Sequence, residues 1–143
     1  MRFVIDTNII FSVLLKPENI TGALFFSITK EHNLLAPDIL LAEISKHNDK
    51  LISLSQLTIA DMEKIKHEVL KKIIFMDALQ IPRNILMKAA DLTKDVDIND
   101  MPFVALAIYA KAALWTGDKK LYSGLKAKGF TGIINSKEIQ SLL

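Results

Sequence analysis

Five carboxylates occupy positions from which a folded chain could gather them into one place. Asp6 ends the run Arg2-Phe3-Val4-Ile5, and Asp118 follows Ala113-Leu114-Trp115-Thr116 after a single glycine. Asp97 and Asp100 lie in the polar stretch Thr93–Asp100, just before an Ala-rich apolar segment, and Glu43 interrupts an otherwise apolar helical pattern. Carboxylates converging on one crevice repel one another and raise one another's pKa unless a cation sits between them. An all-oxygen donor set suits magnesium or manganese, with water and a substrate phosphate filling the remaining positions. The chemistry implied is metal-assisted hydrolysis of a phosphodiester, in which one ion, or two about 3.5–4 Å apart, activates water and stabilises the leaving oxygen.

Other donor sets are excluded or weak. The chain has no cysteine, so neither a thiolate zinc site nor a disulfide framework is available. His32, His47 and His67 share no metal-ligand spacing and read as surface residues. No Gly-x-Gly-x-x-Gly follows the first apolar run, which argues against dinucleotide binding.

The elements that must position these acids follow from periodicity and punctuation. Arg2–Ile5 is short, β-branched and aromatic, as a buried strand requires, and the apolar segment Ile9–Leu15 continues to a stop at Pro17. Thr21–Lys30 has helical spacing, and Asn33–Ala36 reads as a second strand closed by Pro37. A helix from Pro37-Asp38 carries Ile39, Leu40, Ile44, Leu51 and Ile52 on one side, with Glu43 one turn in. Thr58 caps a helix to about Lys72, with Asp61 at the capping-box position. Ile73–Met76 is a strand candidate, Arg83–Leu92 a helix, and Met101 to Lys111 a helix whose first turn tolerates Pro102. Ala113–Thr116 predicts a strand, Lys119–Lys128 a helix, Ile133-Ile134 a last strand, and Ser136 the cap of a closing helix.

Strands alternating with helices predict an α/β fold: a three-layer α/β/α sandwich with a central, mainly parallel sheet of four to five short strands. With 143 residues, half of them hydrophobic, the chain should form one domain over residues 1–143 with strands covered on both faces. In such sheets ligands bind beyond the carboxyl ends of the strands, where Asp6 and Asp118 fall. No run approaches the ~20 apolar residues of a membrane span, so a soluble, cytoplasmic chain is expected. The net charge of +2 announces no partner, so any nucleic-acid surface must be local.

Four stretches, in order and spanning nearly the whole chain, resemble the PIN domain family, whose members are largely metal-dependent ribonucleases. Val4-Ile5-Asp6-Thr7-Asn8 is similar to its opening signature, and Pro37-Asp38-Ile39-Leu40-Leu41-Ala42-Glu43-Ile44 to its glutamate helix. Asp97-Ile98-Asn99-Asp100-Met101-Pro102-Phe103 resembles the third acidic motif, and Leu114-Trp115-Thr116-Gly117-Asp118 the last. The resemblance implies metal-binding, catalytic acids at Asp6, Glu43, Asp100 and Asp118, with Asp97 as a fifth ligand that some members use. It implies that Asn8 orients the Asp6 side of the site and that Thr116 supports the last acid through its hydroxyl. It also implies a magnesium or manganese ion, an RNA substrate and a homodimer. Many small members are toxins held inactive by an antitoxin protein whose tail occupies the site.

Plainer readings stand beside these. Asp6, Thr7 and Asn8 are all helix-capping types, and Thr116 is a natural turn residue. Without the resemblance Glu43 reads as a solvated helix residue. Lys119 and Lys120 either solvate their helix or contact substrate phosphates, and Trp115 belongs to the core. A haloacid-dehalogenase-like phosphatase also starts with a strand ending in Asp, but the second acid it needs two residues later is Asn8 here. A catalytically silent RNA- or protein-binding module of the same fold is the remaining alternative.

Overall fold

Every residue from Met1 to Leu143 is described by the structure, a computed structural model. Five short strands, β1 (Arg2–Ile5), β2 (Asn33–Pro37), β3 (Ile73–Met76), β4 (Ala113–Trp115) and β5 (Ile133–Ile134), form one sheet in the order β3-β2-β1-β4-β5. All four pairings are parallel, which sharpens "mainly parallel" to all-parallel. The sheet grows outward from β1 first through β2 and β3, then through β4 and β5, so the winding direction reverses between β1 and β4. A reversal of this kind opens a crevice at the carboxyl ends of the two central strands.

Nine helices cover the sheet. α1 (Thr7–Leu15) packs against α2 (Ile20–Ile28), α3 (Ile39–Lys46), α4 (Asn48–Ser55) and α5 (Ile59–Leu70), and α2 packs against the closing helix α9 (Ser136–Leu142). On the other face α7 (Met101–Ala110) lies along β1, β2 and β4 under α6 (Arg83–Thr93), and α8 (Lys119–Ala127) joins β4 to β5. Sandwiched between sheet and helix, α7 buries Phe103, Val104, Ala105, Leu106 and Ala107 in succession, because a helix covered all round needs no polar face. No single helix is long and apolar enough to cross a membrane, and the two apolar helices α1 and α2 meet at 115°.

Two local expectations are corrected. The expected helix from Pro37-Asp38 through Ile52 is two helices that change direction at His47, and no glycine or proline marks the break. The closing helix is capped by Asn135, not Ser136: the Asn135 side chain accepts from the Glu138 N–H, and Glu138 accepts from the Asn135 N–H. That reciprocal capping box leaves the Ser136 hydroxyl free to accept from the Trp115 indole N–H at 3.0 Å, tying α9 to β4.

The acidic loop after α6 is clamped to α8. Lys128 Nζ donates to the carbonyls of Asp91 and Leu92 and to the Asp95 carboxylate, and Val96 lies against Gly124. A Cβ at Gly124 would come within 2.8 Å of Val96 Cγ2. Helix propensity alone would reward Gly124→Ala by about 1 kcal/mol, whereas overpacking costs about 1–3 kcal/mol. Gly124→Ala is therefore expected to lower the unfolding free energy, and adding Val96→Ala to restore it. A simple gain in stability in denaturant titrations would show that the loop moves freely.

Candidate metal centre

The acids sit after β1, β2 and β4 and at the start of α7. Asp6 follows β1 and caps α1, its Oδ1 accepting from the Thr7 N–H at 2.8 Å. Asp118 follows β4 and caps α8, its Oδ1 accepting from the N–H groups of Lys120 and Leu121 at 2.9 and 3.1 Å. The capping role suspected for Asp6 is real, and capping fixes one oxygen of each of these two acids. Asp97 caps a short 3₁₀ turn, Ile98–Asp100, through the Asn99 N–H, and Asp100 ends that turn at the head of α7. Glu43 projects from α3, one turn after β2.

Asp6 is the anchor. Only 4 % of it is exposed, and its Oδ2 accepts from the Thr116 hydroxyl at 2.7 Å and from the Asn8 amide at 3.1 Å. Thr116 Oγ1 in turn accepts from the Asp118 N–H at 3.0 Å, so one hydroxyl bridges the first and last acids. Asn8 closes the ring by accepting from the Gly117 N–H at 2.9 Å. The loops after β1 and β4 are thus laced together by side chains 108 to 110 positions apart.

Electrostatics confirms that the acids share a space. Burial raises the Asp6 pKa despite its hydrogen bonds, and Asp118 adds to the rise. Glu43 is also raised, chiefly by burial and then by Asp6 and Asp97, with the nearby Thr7 hydroxyl opposing. That hydroxyl is buried and has no partner at hydrogen-bonding geometry, so its relief of Glu43 is a matter of proximity. Asp100 is raised as well: burial, then Asp6, Asp97, Asp118 and Glu43, push it up to about 7. Its Oδ2 is buried without any hydrogen-bond partner. A buried carboxylate oxygen with no donor, surrounded by four other acids, is the arrangement a divalent cation would relieve. No three of these side chains converge tightly enough to enclose an ion by themselves. That suits magnesium, which keeps several waters and takes only one or two carboxylates directly.

The pattern of this site in this order along the chain has a counterpart. A family model described as PIN domain matches residues 4–138. The chain belongs to the PIN domain family. Two solved structures share its fold: VapBC2 from Rickettsia felis bound to a promoter DNA fragment, and a toxin–antitoxin complex from Klebsiella pneumoniae. The first has 18 % identity and a TM-score of 0.64 over 94 % of this chain and 97 % of that one. The second has 16 % identity and a TM-score of 0.64 over 93 % and 96 %. No curated protein matches the chain significantly.

Within this PIN domain all five acids reach the carboxyl edge of the sheet, and Asn8 and Thr116 hydrogen-bond to Asp6. The two lysines part company. Lys119 lines a cleft beside Asp118, whereas the Lys120 side chain does not and only its backbone N–H meets that acid. Thr7, a helix-capping type by sequence, instead supplies a buried hydroxyl beside Glu43, which nothing but its place between Asp6 and Asn8 signalled.

The PIN fold's dependence on the bridging hydroxyl can be measured. Thr116→Val removes the donor to a buried carboxylate and leaves the Asp118 N–H without its acceptor, which should destabilise by about 1–3 kcal/mol. Thr116→Ser keeps the hydroxyl and should recover most of that loss. Equal midpoints for the valine variant and wild type in urea would remove the bridge from the account.

Proposed function

We propose that this chain is a magnesium- or manganese-dependent endoribonuclease and the toxin of a toxin–antitoxin pair. The observation that carries the nuclease reading is the buried, unpartnered Asp100 Oδ2 among Asp6, Glu43, Asp97 and Asp118 in a PIN domain. RNA is the substrate class that the family resemblance implies. The toxin role draws on the two structural neighbours, one a VapBC2 assembly and the other a toxin–antitoxin complex. A homodimer acting in the cytoplasm, restrained by an antitoxin, completes the reading.

Asp6, Glu43, Asp100 and Asp118 would hold the cation, one or two of them directly and the others through its waters, with Asp97 at its margin. A bound divalent ion supplies a lowered pKa to its water and a positive charge for the phosphodiester oxygens. The chain's own contribution is preorganisation. Three hydrogen bonds hold the Asp6 carboxylate, so it cannot swing to follow a substrate. Asp100 Oδ2 is the oxygen left free to accept a ligand or a proton. The same restraint on Asp6 disfavours the phosphatase alternative, in which that carboxylate would have to be free to attack phosphorus.

The test is cleavage of labelled single-stranded RNA by purified protein with magnesium, manganese or EDTA. Cleavage that requires a divalent cation supports the nuclease. Binding of RNA without cleavage under every metal condition would favour the silent module.

A further inference from the structure

We propose that a polar cleft beside Asp118 seats the backbone of a single RNA strand on one side of the cleaved bond, with Lys119 and Lys137 neutralising its phosphate. This rests on the nuclease reading above and names where its substrate lies. The cleft, of about 440 Å³, runs from Thr116–Lys119 across the exposed side of α8 to the start of α9. Its walls therefore come from the two loops that follow β4 and β5, and it shares Asp118 with the acidic cluster.

The polar groups in the cleft sort into those already engaged and those still free. Asn135 is held in the capping box of α9. The Tyr122 hydroxyl donates to Glu138 Oε1 at 2.8 Å, and Lys126 Nζ lies 5.4 Å from the centre of its ring. Two carboxylates border this wall: Glu138, whose Oε1 also accepts from the Asn135 N–H, and Asp118, whose Oδ1 is taken by the N–H groups of Lys120 and Leu121. Most of what remains is donors. Lys119 and Lys137 are exposed and form no ion pair, and the Ser123 hydroxyl has no partner. The Ser136 hydroxyl only accepts, from Trp115, and so retains its own proton to donate.

A concave surface with two free ammonium groups and two free hydroxyl protons, whose one lining carboxylate is Asp118 at its mouth, suits an anion that offers several oxygens. Phosphodiester backbone meets that description, and Asp118 at the mouth places it next to the cation-binding acids. The one aromatic ring here has its hydroxyl engaged and a lysine over it, so it offers no open stacking platform of the kind that holds bases. Contacts of this type position a strand without reading its sequence. A second polar cleft, lined by Asn8, Ser12 and Thr21, meets the first at Gly117, Asp118 and Ser136 and lets the strand continue past the acids toward α1 and α2.

The experiment measures binding of a fluorescent, 2′-O-methylated single-stranded RNA, which resists cleavage, across a salt series in EDTA. Wild type is compared with Lys119→Ala/Lys137→Ala and with Lys64→Ala/Lys72→Ala, a control pair outside both clefts. The cleft pair is expected to lose affinity on the order of tenfold and to flatten the salt dependence by about 0.7 per lost phosphate contact, while the control pair does neither. An unchanged affinity and slope in the cleft pair overturns the cleft while leaving the nuclease reading, which is judged by cleavage of unmodified RNA, intact. Binding of a hexaglutamate peptide that the cleft pair loses, with no binding of RNA by wild type, overturns it in favour of an acidic protein partner.

Discussion

Asp6→Asn is expected to reduce metal-dependent RNA cleavage by about a thousandfold or more without unfolding the protein. Charge stabilisation by a correctly held cation is worth several kcal/mol in the transition state, and each 1.4 kcal/mol or so is a factor of ten. The fold should survive because two effects oppose. The amide removes a buried charge whose pKa burial already raises. It also brings an NH₂ group against either the Thr7 N–H or the Asn8 amide, both of which now donate to the carboxylate. One donor–donor contact costs about 1–3 kcal/mol, similar in size to the relief of the charge. The measurement is single-turnover cleavage beside a circular-dichroism melt, and full activity in the folded variant would remove Asp6 from the mechanism.

Asp100→Asn should abolish cleavage as well, yet stabilise the metal-free protein in a pH-dependent way. Burial and the neighbouring acids push the Asp100 pKa up to about 7 in the fold, against 3.8 for its ordinary value. Across that window the folded state binds more protons than the unfolded state, so the unfolding free energy falls as pH rises. The penalty is absent below about pH 4 and complete above about pH 7. Asp6 and Glu43, also raised, act in the same direction. Because Asp100 is only half-buried, solvent screening limits the relief from its replacement to about 1–2 kcal/mol, or roughly 3–8 °C in melting temperature. Melts in EDTA should therefore show a gain at pH 7.5 that vanishes near pH 4. A gain of equal size at both pH values would mean that the acids do not interact. Added magnesium should stabilise wild type more than the variant, since only ligands of the folded state shift the equilibrium.

Much of the architecture is written locally. The strand end at Ile5, the capping residues Asp6 and Thr58 and the turn at Gly117-Asp118 announce themselves through periodicity and residue type, and the acids follow because open α/β sheets bind beyond their carboxyl edges. The cap of α9 was also legible: Asn135 and Glu138 have capping-box spacing, which outranks a serine one residue later. The break at His47 was not, because α3 and α4 diverge to pack separately against α1 rather than at a residue that forbids helix. α7 likewise ends on Lys111 in the left-handed region, φ 53°, without the glycine usual there. Lys137 gave no local sign of facing Asp118's side of the molecule. Its place depends on β5 lying beside β4, a long-range fact that spacing along the chain does not carry.

The position of β4 beside β1 has a consequence for the order in which the chain is made. Four of the five acids lie within residues 1–110, but Thr116 and Asp118 do not. A nascent chain that stops at residue 110 has β1 as an edge strand and lacks both the hydroxyl that pins Asp6 and the last acid. Residues 111–143 take roughly 2–7 s to synthesise at about 5–20 residues per second. Until Thr116 and Asp118 emerge the other acids have no completed crevice, so the site assembles late, when β4 pairs with β1, and no local segment of the chain carries it alone.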